Sequence, residues 1–243
     1  MDFFRGSQWQ QLPFSASDLG ITNTGDVYLL GEEPGDYGQC LYKLDQQGLP
    51  QRVSQDSNVS GVALNTNGLY ASLISPDGRL NQYNLYTQNF TPGATYALEA
   101  GYGGDGSFYW LGSDTYTADN RLYKLTLGDY GEYTQALPGH GARLAVDSHG
   151  NPWIVTRSLD IYRFRSDTPM TILGKARDIS ASSNYTVCII SIDFRIYGAS
   201  YTYQTTDPWV GIPDIINTPV RVAISPEGVP WYIDQFNNVY KRV

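Results

Sequence analysis

Two short polar segments carry the residues of this sequence that are best suited to ligand binding. Segment 31–39 contains Glu32, Glu33, Asp36 and Tyr37, and segment 112–120 contains Asp114, Tyr116 and Asp119. Carboxylates accept hydrogen bonds from sugar hydroxyls, and a tyrosine ring can stack on the apolar face of a pyranose. Both segments therefore predict carbohydrate binding through loops, and the alternative is that they are surface hairpins without a ligand.

The same carboxylates raise the question of an enzyme or a Ca²⁺ site, but their spacing matches no calcium loop and no catalytic signature. His140 lies in a connection between two predicted strands, whereas His149 lies in a glycine turn, so we expect them at opposite faces. Two histidines so placed cannot share a metal ion or a catalytic triad. The sequence predicts a protein that is not an enzyme and has no cofactor or metal, and His140 stays a candidate ligand-binding residue.

A repeated phrase identifies the elements that must position these residues. Its clearest copy reads Arg143-Leu-Ala-Val-Asp-Ser-His-Gly-Asn-Pro-Trp153, and Ile161-Tyr-Arg163 follows. The phrase recurs in six units, whose first aliphatic residues are Leu19, Val62, Ala100, Leu144, Ile179 and Val222. Alternating apolar residues indicate short strands, and a period of about 40 residues built from such strands is typical of β-propeller blades.

Glycine closes the first turn in five of the six units. The turn residues are Gly25, Gly68, Gly106, Gly150, Tyr185 and Gly228. Glycine adopts positive φ without a steric penalty, so we expect type I turns closed by a residue at positive φ. The fifth unit is then predicted to have a strained or reshaped turn at Tyr185.

An aromatic residue follows most of these turns, and a basic residue follows the third strand's tyrosine in four units. The aromatic residues include Tyr28, Tyr109, Trp153 and Trp231, and the basic residues are Lys43, Lys124, Arg163 and Lys241. We expect the aromatic rings to fill space between neighbouring sheets. The basic residues are interpreted as solvated charges, with a local basic patch as the alternative. Strand alternation turns Trp110 to the opposite side of the sheet from Tyr109. There Trp110 either packs against the next blade or contacts a ligand, and the sequence favours neither.

Composition excludes several classes of protein. With 41% hydrophobic residues among 243, and with 25 Gly and 13 Pro, the chain can bury a core but contains no long helical pattern. The formal net charge of −8 disfavours nucleic acid as a partner. No apolar run long enough to span a membrane and no signal peptide is seen, which predicts no membrane insertion and a cytoplasmic protein, with non-classical export left open.

The first segment of the chain completes the predicted architecture. The sequence ends after the third strand of the sixth unit, and residues 8–13 read as an outermost strand. We therefore expect the N-terminal strand to pair into the last blade and close a ring, which removes exposed sheet edges. An open solenoid is the alternative, and it would need capping units.

Two of the units resemble a known family, the tectonin-type β-propellers. The segments that carry the resemblance are Ala142-Arg-Leu-Ala-Val-Asp-Ser-His-Gly-Asn-Pro-Trp153 with Ile161-Tyr-Arg163, and Val220-Arg-Val-Ala-Ile-Ser-Pro-Glu-Gly-Val-Pro-Trp231 with Val239-Tyr-Lys241. The resemblance implies a six-bladed propeller, with lectin-like binding of glycans or lipopolysaccharide in some relatives and protein-interaction roles in others.

These observations lead to one prediction for the fold and two for the function. The fold is predicted to be all-β, with residues 1–243 forming a single domain of six four-stranded antiparallel blades. The leading function is binding of a glycan or glycoconjugate through loops on one face and grooves between blades. The alternative is a scaffold that binds a protein partner within a larger assembly.

Overall fold

The fold is known from a computed structural model that describes residues 6–31, 39–53, 59–64, 70–91, 96–112, 120–128, 131–182, 185–201 and 208–243. These residues form 22 strands and no helix. The strands are β1 (Trp9–Ile21), β2 (Val27–Gly31), β3 (Cys40–Leu44), β4 (Pro50–Arg52), β5 (Gly61–Leu64), β6 (Tyr70–Ile74), β7 (Leu80–Asn84), β8 (Phe90–Thr91), β9 (Ala97–Tyr102), β10 (Phe108–Gly112), β11 (Asn120–Gly128), β12 (Gly131–Gly141), β13 (Arg143–Val146), β14 (Pro152–Val155), β15 (Asp160–Arg165), β16 (Thr168–Ala181), β17 (Thr186–Ser191), β18 (Ile196–Ser200), β19 (Val210–Ile212), β20 (Pro219–Ile224), β21 (Pro230–Asp234) and β22 (Asn238–Arg242). A membrane-spanning helix is thus absent from the described ranges.

The strands form four hydrogen-bonded sheets, and all pairings between them are antiparallel. Two sheets have four strands, in the orders β5-β6-β7-β8 and β9-β10-β11-β12. Two sheets have seven strands, in the orders β20-β21-β22-β1-β2-β3-β4 and β13-β14-β15-β16-β17-β18-β19. The prediction of an all-β protein made of short antiparallel strands is confirmed.

Two long strands each belong to two neighbouring groups of strands. The start of β1 pairs with β22, where Trp9 lies opposite Arg242, and its end pairs with β2, where Leu19 lies opposite Leu29. The start of β16 likewise pairs with β15 and its end with β17. Each of these four pairings contains a register shift, and the two halves of each long strand have different partners.

The glycine turns have the predicted backbone conformation. The φ angles of Gly25, Gly106, Gly150 and Gly228 are 85°, 86°, 72° and 80°, and Gly68 lies outside the described residues. Tyr185 takes the same position in the fifth unit with φ at 67°, which is uncommon for a residue with a Cβ. The expectation of a strained turn at Tyr185 is confirmed.

Apolar side chains between neighbouring groups of strands form the core. One cluster joins Tyr28 and Leu30 of β2 to Leu73 of β6 and Tyr83 of β7. Another places the buried ring of Trp110 against residues of β6 and β7. Further clusters lie between groups of strands that belong to the same seven-stranded sheet, so the core is divided into separate clusters.

The basic residue of the repeat lies over the aromatic residue directly opposite it. The cross-strand pairs are Tyr28–Lys43, Tyr109–Lys124, Trp153–Arg163 and Trp231–Lys241. The cation lies between 5.0 and 5.7 Å from the ring centroid, within reach of a cation–π interaction. The interpretation of these residues as solvated charges is wrong for Arg163, which is 2% exposed.

Candidate functional site

The structure describes two of the nine residues predicted to bind a ligand. The other seven are Glu32, Glu33, Asp36, Tyr37, Asp114, Tyr116 and Asp119, and all of them lie outside the described residues. Trp110 is 4% exposed, and its ring centroid lies 5.6 Å from that of Tyr123 and 5.7 Å from that of Phe108. Its position fits the packing alternative and leaves almost no surface for a ligand.

His140 precedes strand β13 in the sequence and His149 follows it. His140 is half-buried near the end of β12, opposite Arg121. His149 lies in the β13–β14 turn, with its ring 5.1 Å from that of Tyr185. Within the ranges that the structure describes, no three His, Cys, Asp or Glu side chains are grouped to hold a metal ion.

A groove with a volume of about 820 Å³ lies between the β17–β18 turn and the β19–β20 connection. Residues 193–197 line one side, and residues 211–215 with Asn217 and Thr218 line the other. The lining combines Phe194 and aliphatic side chains with the polar residues Asp193, Arg195, Asp214, Asn217 and Thr218, so it is more polar than that of a typical small-molecule pocket. The β17–β18 turn joins the second strand of its unit to the third, which is also the place in the repeat of segments 31–39 and 112–120.

Four large apolar side chains are exposed on the segments that line this groove or are hydrogen-bonded to those segments. Ile192, Phe194, Ile216 and Phe236 are 50%, 42%, 45% and 63% exposed, and together they are named the apolar rim. The β21–β22 turn, which carries Phe236, is held to the β19–β20 connection by a 2.9 Å hydrogen bond from the Gln235 amide to the Thr218 carbonyl. Exposed apolar side chains on neighbouring segments of a folded protein indicate a candidate interaction site.

Phe194 is held in a backbone conformation that bulky residues avoid. Its φ is 59°, and its amide donates to the Ser191 carbonyl at 3.1 Å to close the turn. The left-handed conformation costs a side chain with a Cβ about 1–2 kcal/mol. The Arg177 guanidinium lies 4.1 Å from the centroid of the Phe194 ring. Leu159 takes the same turn position in the fourth unit with φ at 68° but is less exposed. The strain together with the exposed ring makes Phe194 the central residue of the candidate site.

The sequence contained a signal for this site that the repeat pattern obscured. The turn Ser75-Pro-Asp-Gly78 in the second unit corresponds to Ser191-Ile-Asp-Phe194 in the fifth. Gly78 has φ at 85°, so the phenylalanine occupies a position that suits glycine. A bulky apolar residue at such a position is a deviation from the glycine of the second unit, and the fourth unit shares it at Leu159.

Charged side chains meet in a second place, a channel enclosed by β1, β5, β9, β13, β16 and β20. The cavity there measures about 140 Å³. Arg143 Nη1 lies 3.0 Å from Glu99 Oε1, and Arg143 Nε lies 3.4 Å from Asp178 Oδ1. Arg221 approaches three carboxylates, those of Asp18 at 3.5 Å, Glu99 at 3.3 Å and Asp178 at 3.6 Å.

Burial and ion pairing act in opposite directions on the channel residues. Burial raises the pKa of Glu99 and of Asp178, although Arg221 and Arg143 oppose this effect. Burial alone would lower the pKa of Arg221, but the carboxylates of Asp18, Glu99 and Asp178 outweigh it and raise that pKa. Arg221 therefore stays charged, while the carboxyl groups of Glu99 and Asp178 hold a proton more readily than exposed ones do.

Comparison with known proteins shows the fold. No family model matches the chain, and no curated protein matches it. The solved structures that it resembles include the WD40 repeats of RRP9 (TM-score 0.60, 8% identity, 98% of both chains) and virginiamycin B lyase from Staphylococcus aureus (TM-score 0.61, 10% identity, 96% of this chain and 98% of the other). A chain of a mitotic checkpoint complex is also similar (TM-score 0.59, 12% identity, 98% of this chain and 91% of the other).

These identities are too low to indicate a shared function, and none of the matches supports the tectonin family in particular. What they share with this chain is the architecture of antiparallel sheets that WD40 repeats form. The chain has a β-propeller-type fold.

Proposed function

We propose that the chain is a six-bladed β-propeller that binds a partner protein at the apolar rim and serves as a non-enzymatic subunit of a larger assembly. The blade count follows from the two long strands. If β1 and β16 each belong to two blades, the two seven-stranded sheets contain four four-stranded blades. The two four-stranded sheets are the remaining two blades.

Pairing of the terminal segments supports a closed ring. The Ser7 amide donates to the Val243 carbonyl at 2.7 Å, and the Val243 amide donates to the Gln8 carbonyl at 2.8 Å. Trp9 is buried against Tyr232, with ring centroids 4.7 Å apart, and its Nε1 donates to the Pro213 carbonyl. In the proposed ring, β1 is the outer strand of the sixth blade and then the inner strand of the first.

The observation that carries the proposed function is the exposed apolar rim beside a groove. Partner contacts concentrate in a few aromatic and arginine anchors that are surrounded by polar side chains. Phe194 with the stacked Arg177 has this character, and Asp193 and Arg195 flank it in sequence. The partner we propose is a protein segment that inserts an apolar side chain into the groove.

Glycan binding is the alternative function, and the experiment must distinguish it from binding of a partner protein. It rests on segments 31–39 and 112–120, whose carboxylates and tyrosines lie outside the described residues. The contacts of the described residues do not support glycan binding. The apolar rim, in contrast, lies within the described residues. One similar fold occurs in a mitotic checkpoint complex, which is consistent with a role in assembly.

The test is affinity purification of the tagged protein from its native source with matched variants. We expect one stoichiometric protein to co-purify with the unmodified chain and with Tyr86→Asn, an exposed aromatic outside the rim. Phe194→Asn should weaken that complex about 30-fold or more, the effect of losing an anchor worth about 2 kcal/mol.

The same preparations are applied to a glycan array. Glycan binding that needs neither Phe194 nor a protein partner would overturn the proposal. If Phe194→Asn and Phe236→Ser both bind the partner with full affinity, the partner does not bind at the apolar rim.

A further inference from the structure

The fourth and sixth units of the repeat differ at one buried position. Asp147 opens the β13–β14 turn of the fourth unit, and Ser225 opens the β20–β21 turn of the sixth. In both turns the carbonyl of this residue accepts from the glycine amide, that of Gly150 at 3.0 Å and that of Gly228 at 2.9 Å. One side-chain oxygen of each residue also accepts from the amide four positions later, at 3.0 and 3.2 Å. Ser225 therefore takes the place of Asp147 in a turn of the same kind.

The carboxylate of the fourth unit also serves two side-chain donors. Asp147 Oδ2 accepts from Trp153 Nε1 at 3.2 Å and from Arg163 Nη2 at 2.8 Å. The equivalent residues of the sixth unit are Trp231 and Lys241, which lie opposite each other on β21 and β22. A serine hydroxyl cannot supply a second oxygen for them. In the described part of the chain the buried Trp231 Nε1 accordingly has no hydrogen-bond acceptor.

Lys241 differs from the three other basic residues that follow the tyrosine of the third strand. Each of those pairs with a carboxylate at 3.5 Å or less, and the pairs are Lys43–Asp26, Lys124–Asp167 and Arg163–Asp147. The Lys241 ammonium lies 5.2 Å from the centroid of the Trp231 ring, and among the described residues it forms no ion pair. An indole N–H and an ammonium group thus meet where the fourth unit has an anion. Buried donors without an acceptor are costly, so an anionic acceptor would be stabilised here.

A pocket with a volume of about 370 Å³ lies at this position. Trp231 and Lys241 of the sixth unit line one side, and residues 25–27 and 44–48 of the first unit line the other. Pockets for small ligands begin at about 300 Å³. The pocket is therefore large enough for a small molecule or for one side chain of a partner.

The equivalent position between the fourth and fifth units is closed by an aromatic ring. Tyr201 is 2% exposed there, and its ring centroid lies 4.7 Å from the Arg163 guanidinium. Gln46 has the place of Tyr201 in the first unit, five residues after the start of the third strand, and it is exposed. A glutamine in place of this tyrosine leaves the approach to Lys241 open.

Two carboxylates also line the pocket, and both already have partners. Asp26 Oδ2 lies 3.0 Å from Lys43 Nζ. Asp45 Oδ1 accepts from two backbone amides of its own turn at 2.9 and 2.8 Å. Neither carboxylate forms an ion pair with Lys241, so the ammonium group keeps an unmatched positive charge.

We propose that this pocket binds a carboxylate group, one oxygen of which takes the position that Asp147 Oδ2 has in the fourth unit. That oxygen accepts a hydrogen bond from Trp231 Nε1 and pairs with the Lys241 ammonium. The carboxylate belongs to a small organic acid or to an acidic side chain of a bound protein segment. The pocket shares no residue with the apolar rim or its groove, so the site stands or fails independently of the proposed function.

The test is a two-dimensional NMR titration with sodium acetate at constant pH, which follows the indole N–H signals. Because Trp231 Nε1 gains an acceptor, we expect a saturable downfield shift of its proton signal. The Trp153 signal is the internal control and should stay in place, since its donor is already bonded to Asp147. Acetamide, which has the same shape without the charge, should bind at least tenfold more weakly. Sodium chloride at equal ionic strength should leave the Trp231 signal in place.

Variants at two positions test the geometry. Ser225→Asp should rebuild the arrangement of the fourth unit, so its Trp231 signal should lie downfield without acetate and its affinity for acetate should fall at least tenfold. Ser225→Ala, the matched control without a carboxylate, should bind acetate within threefold of the unmodified chain. Lys241→Met should weaken acetate binding at least tenfold, whereas Lys241→Arg, which keeps the charge, should bind within threefold.

An unmoved Trp231 signal, equal responses to acetate and acetamide, or full acetate binding by both Ser225→Asp and Lys241→Met would overturn the proposal. A blocked Gly-Asp-Gly peptide, compared with Gly-Asn-Gly, distinguishes the sources of the carboxylate. A shift of the Trp231 signal by the aspartate peptide assigns the site to a protein side chain, and a response to acetate alone assigns it to a small organic acid.

Discussion

Asp147 and Arg163 form an ion pair that is removed from solvent, with Nη2 of the arginine 2.8 Å from Oδ2 of the aspartate. Nε of Arg163 and Nε1 of Trp153 donate to the same carboxylate oxygen at 3.1 and 3.2 Å. The Arg163 guanidinium also lies 4.7 Å from the centroid of the Tyr201 ring, so it links a turn of one unit to the next unit.

Arg163→Met is expected to lower the free energy of unfolding by about 3–5 kcal/mol, because it leaves the Asp147 carboxylate buried without its cation. The measurement is urea-induced unfolding followed by tryptophan fluorescence. Lys175→Met is the matched control, since its pair with Asp160 is 45% and 35% exposed and should be worth about 0–1 kcal/mol. Equal losses in the two variants would contradict the structural role of the buried pair.

Trp9→Ala tests the pairing of the terminal segments. Trp9 is 8% exposed and contacts both Tyr232 and Arg242, so its removal should cost about 3–5 kcal/mol of unfolding free energy. Thermal and urea unfolding give the value. Tyr86→Ala, which removes an 87% exposed ring, should stay within about 0.5 kcal/mol of the unmodified chain. A Trp9→Ala protein of unchanged stability would argue against ring closure.

Phe194→Asn should separate stability from binding. Asparagine tolerates the left-handed backbone, and the relief of about 1–2 kcal/mol exceeds or balances the loss of the Arg177 contact, worth about 0.5–1 kcal/mol. The unfolding free energy is therefore expected to stay equal or rise while partner binding falls. The reciprocal control is Gly78→Phe at the equivalent turn position, which should lose about 1–2 kcal/mol. A large loss of stability in Phe194→Asn would mean that the ring serves packing and not recognition.

Glu99 gives the protein a specific dependence on pH. Burial raises its pKa above the usual 4.5 against the opposing effect of Arg221 and Arg143. The folded state then binds more protons than the unfolded state between 4.5 and the raised pKa. The stability that Glu99 contributes is present below that interval and is lost as pH rises through it, by about 1.4 kcal/mol for each pH unit that the interval spans.

The measurement for Glu99 compares the unmodified chain with Glu99→Gln by urea unfolding across about pH 4 to 8. The unfolding free energy of the unmodified chain should fall relative to that of the variant as pH rises. The opposite slope would show that the ion pairs with Arg221 and Arg143 outweigh burial. Asp18 and Asp178 share the Arg143 and Arg221 guanidinium groups with Glu99, so the difference between the two chains reports the titration of this coupled group of carboxyls.

The strands and turns could be predicted from the sequence because they depend on local rules. Both the alternation of apolar residues and the need for glycine at a positive φ depend on residues only a few positions apart. Gly150 follows the glycine rule, and Tyr185, which also has a positive φ, is its exception. Pairing of the N-terminal strand with the last strand follows from the number of strands in the sixth unit, and Trp9 does lie opposite Arg242.

The site was harder to predict because it depends on contacts between distant parts of the chain. The basic residue of the repeat was interpreted as solvated, since nothing local shows that Arg163 faces Asp147 across the sheet. The channel charges are spread over more than 200 residues of sequence and meet only when the inner strands converge. Phe194 has only a weak signal in the sequence, because Leu159 takes the same turn position in the fourth unit and the turn pattern does not reveal which of the two side chains is exposed.

Strand β16 runs without a break from its pairing with β15 to its pairing with β17. This continuity limits how independently the two neighbouring units can move. Its residues 168–172 and Lys175 pair with β15 and its residues 176–181 pair with β17, so one continuous strand is hydrogen-bonded to both neighbours. If either neighbouring strand opens locally, the hydrogen bonds on one half of β16 are lost. The hydrogen bonds on the other half are then strained, because the two halves share one backbone. Amide hydrogen exchange should therefore report β13–β19 as one cooperative body, and the molecule should open as fewer pieces than it has repeats.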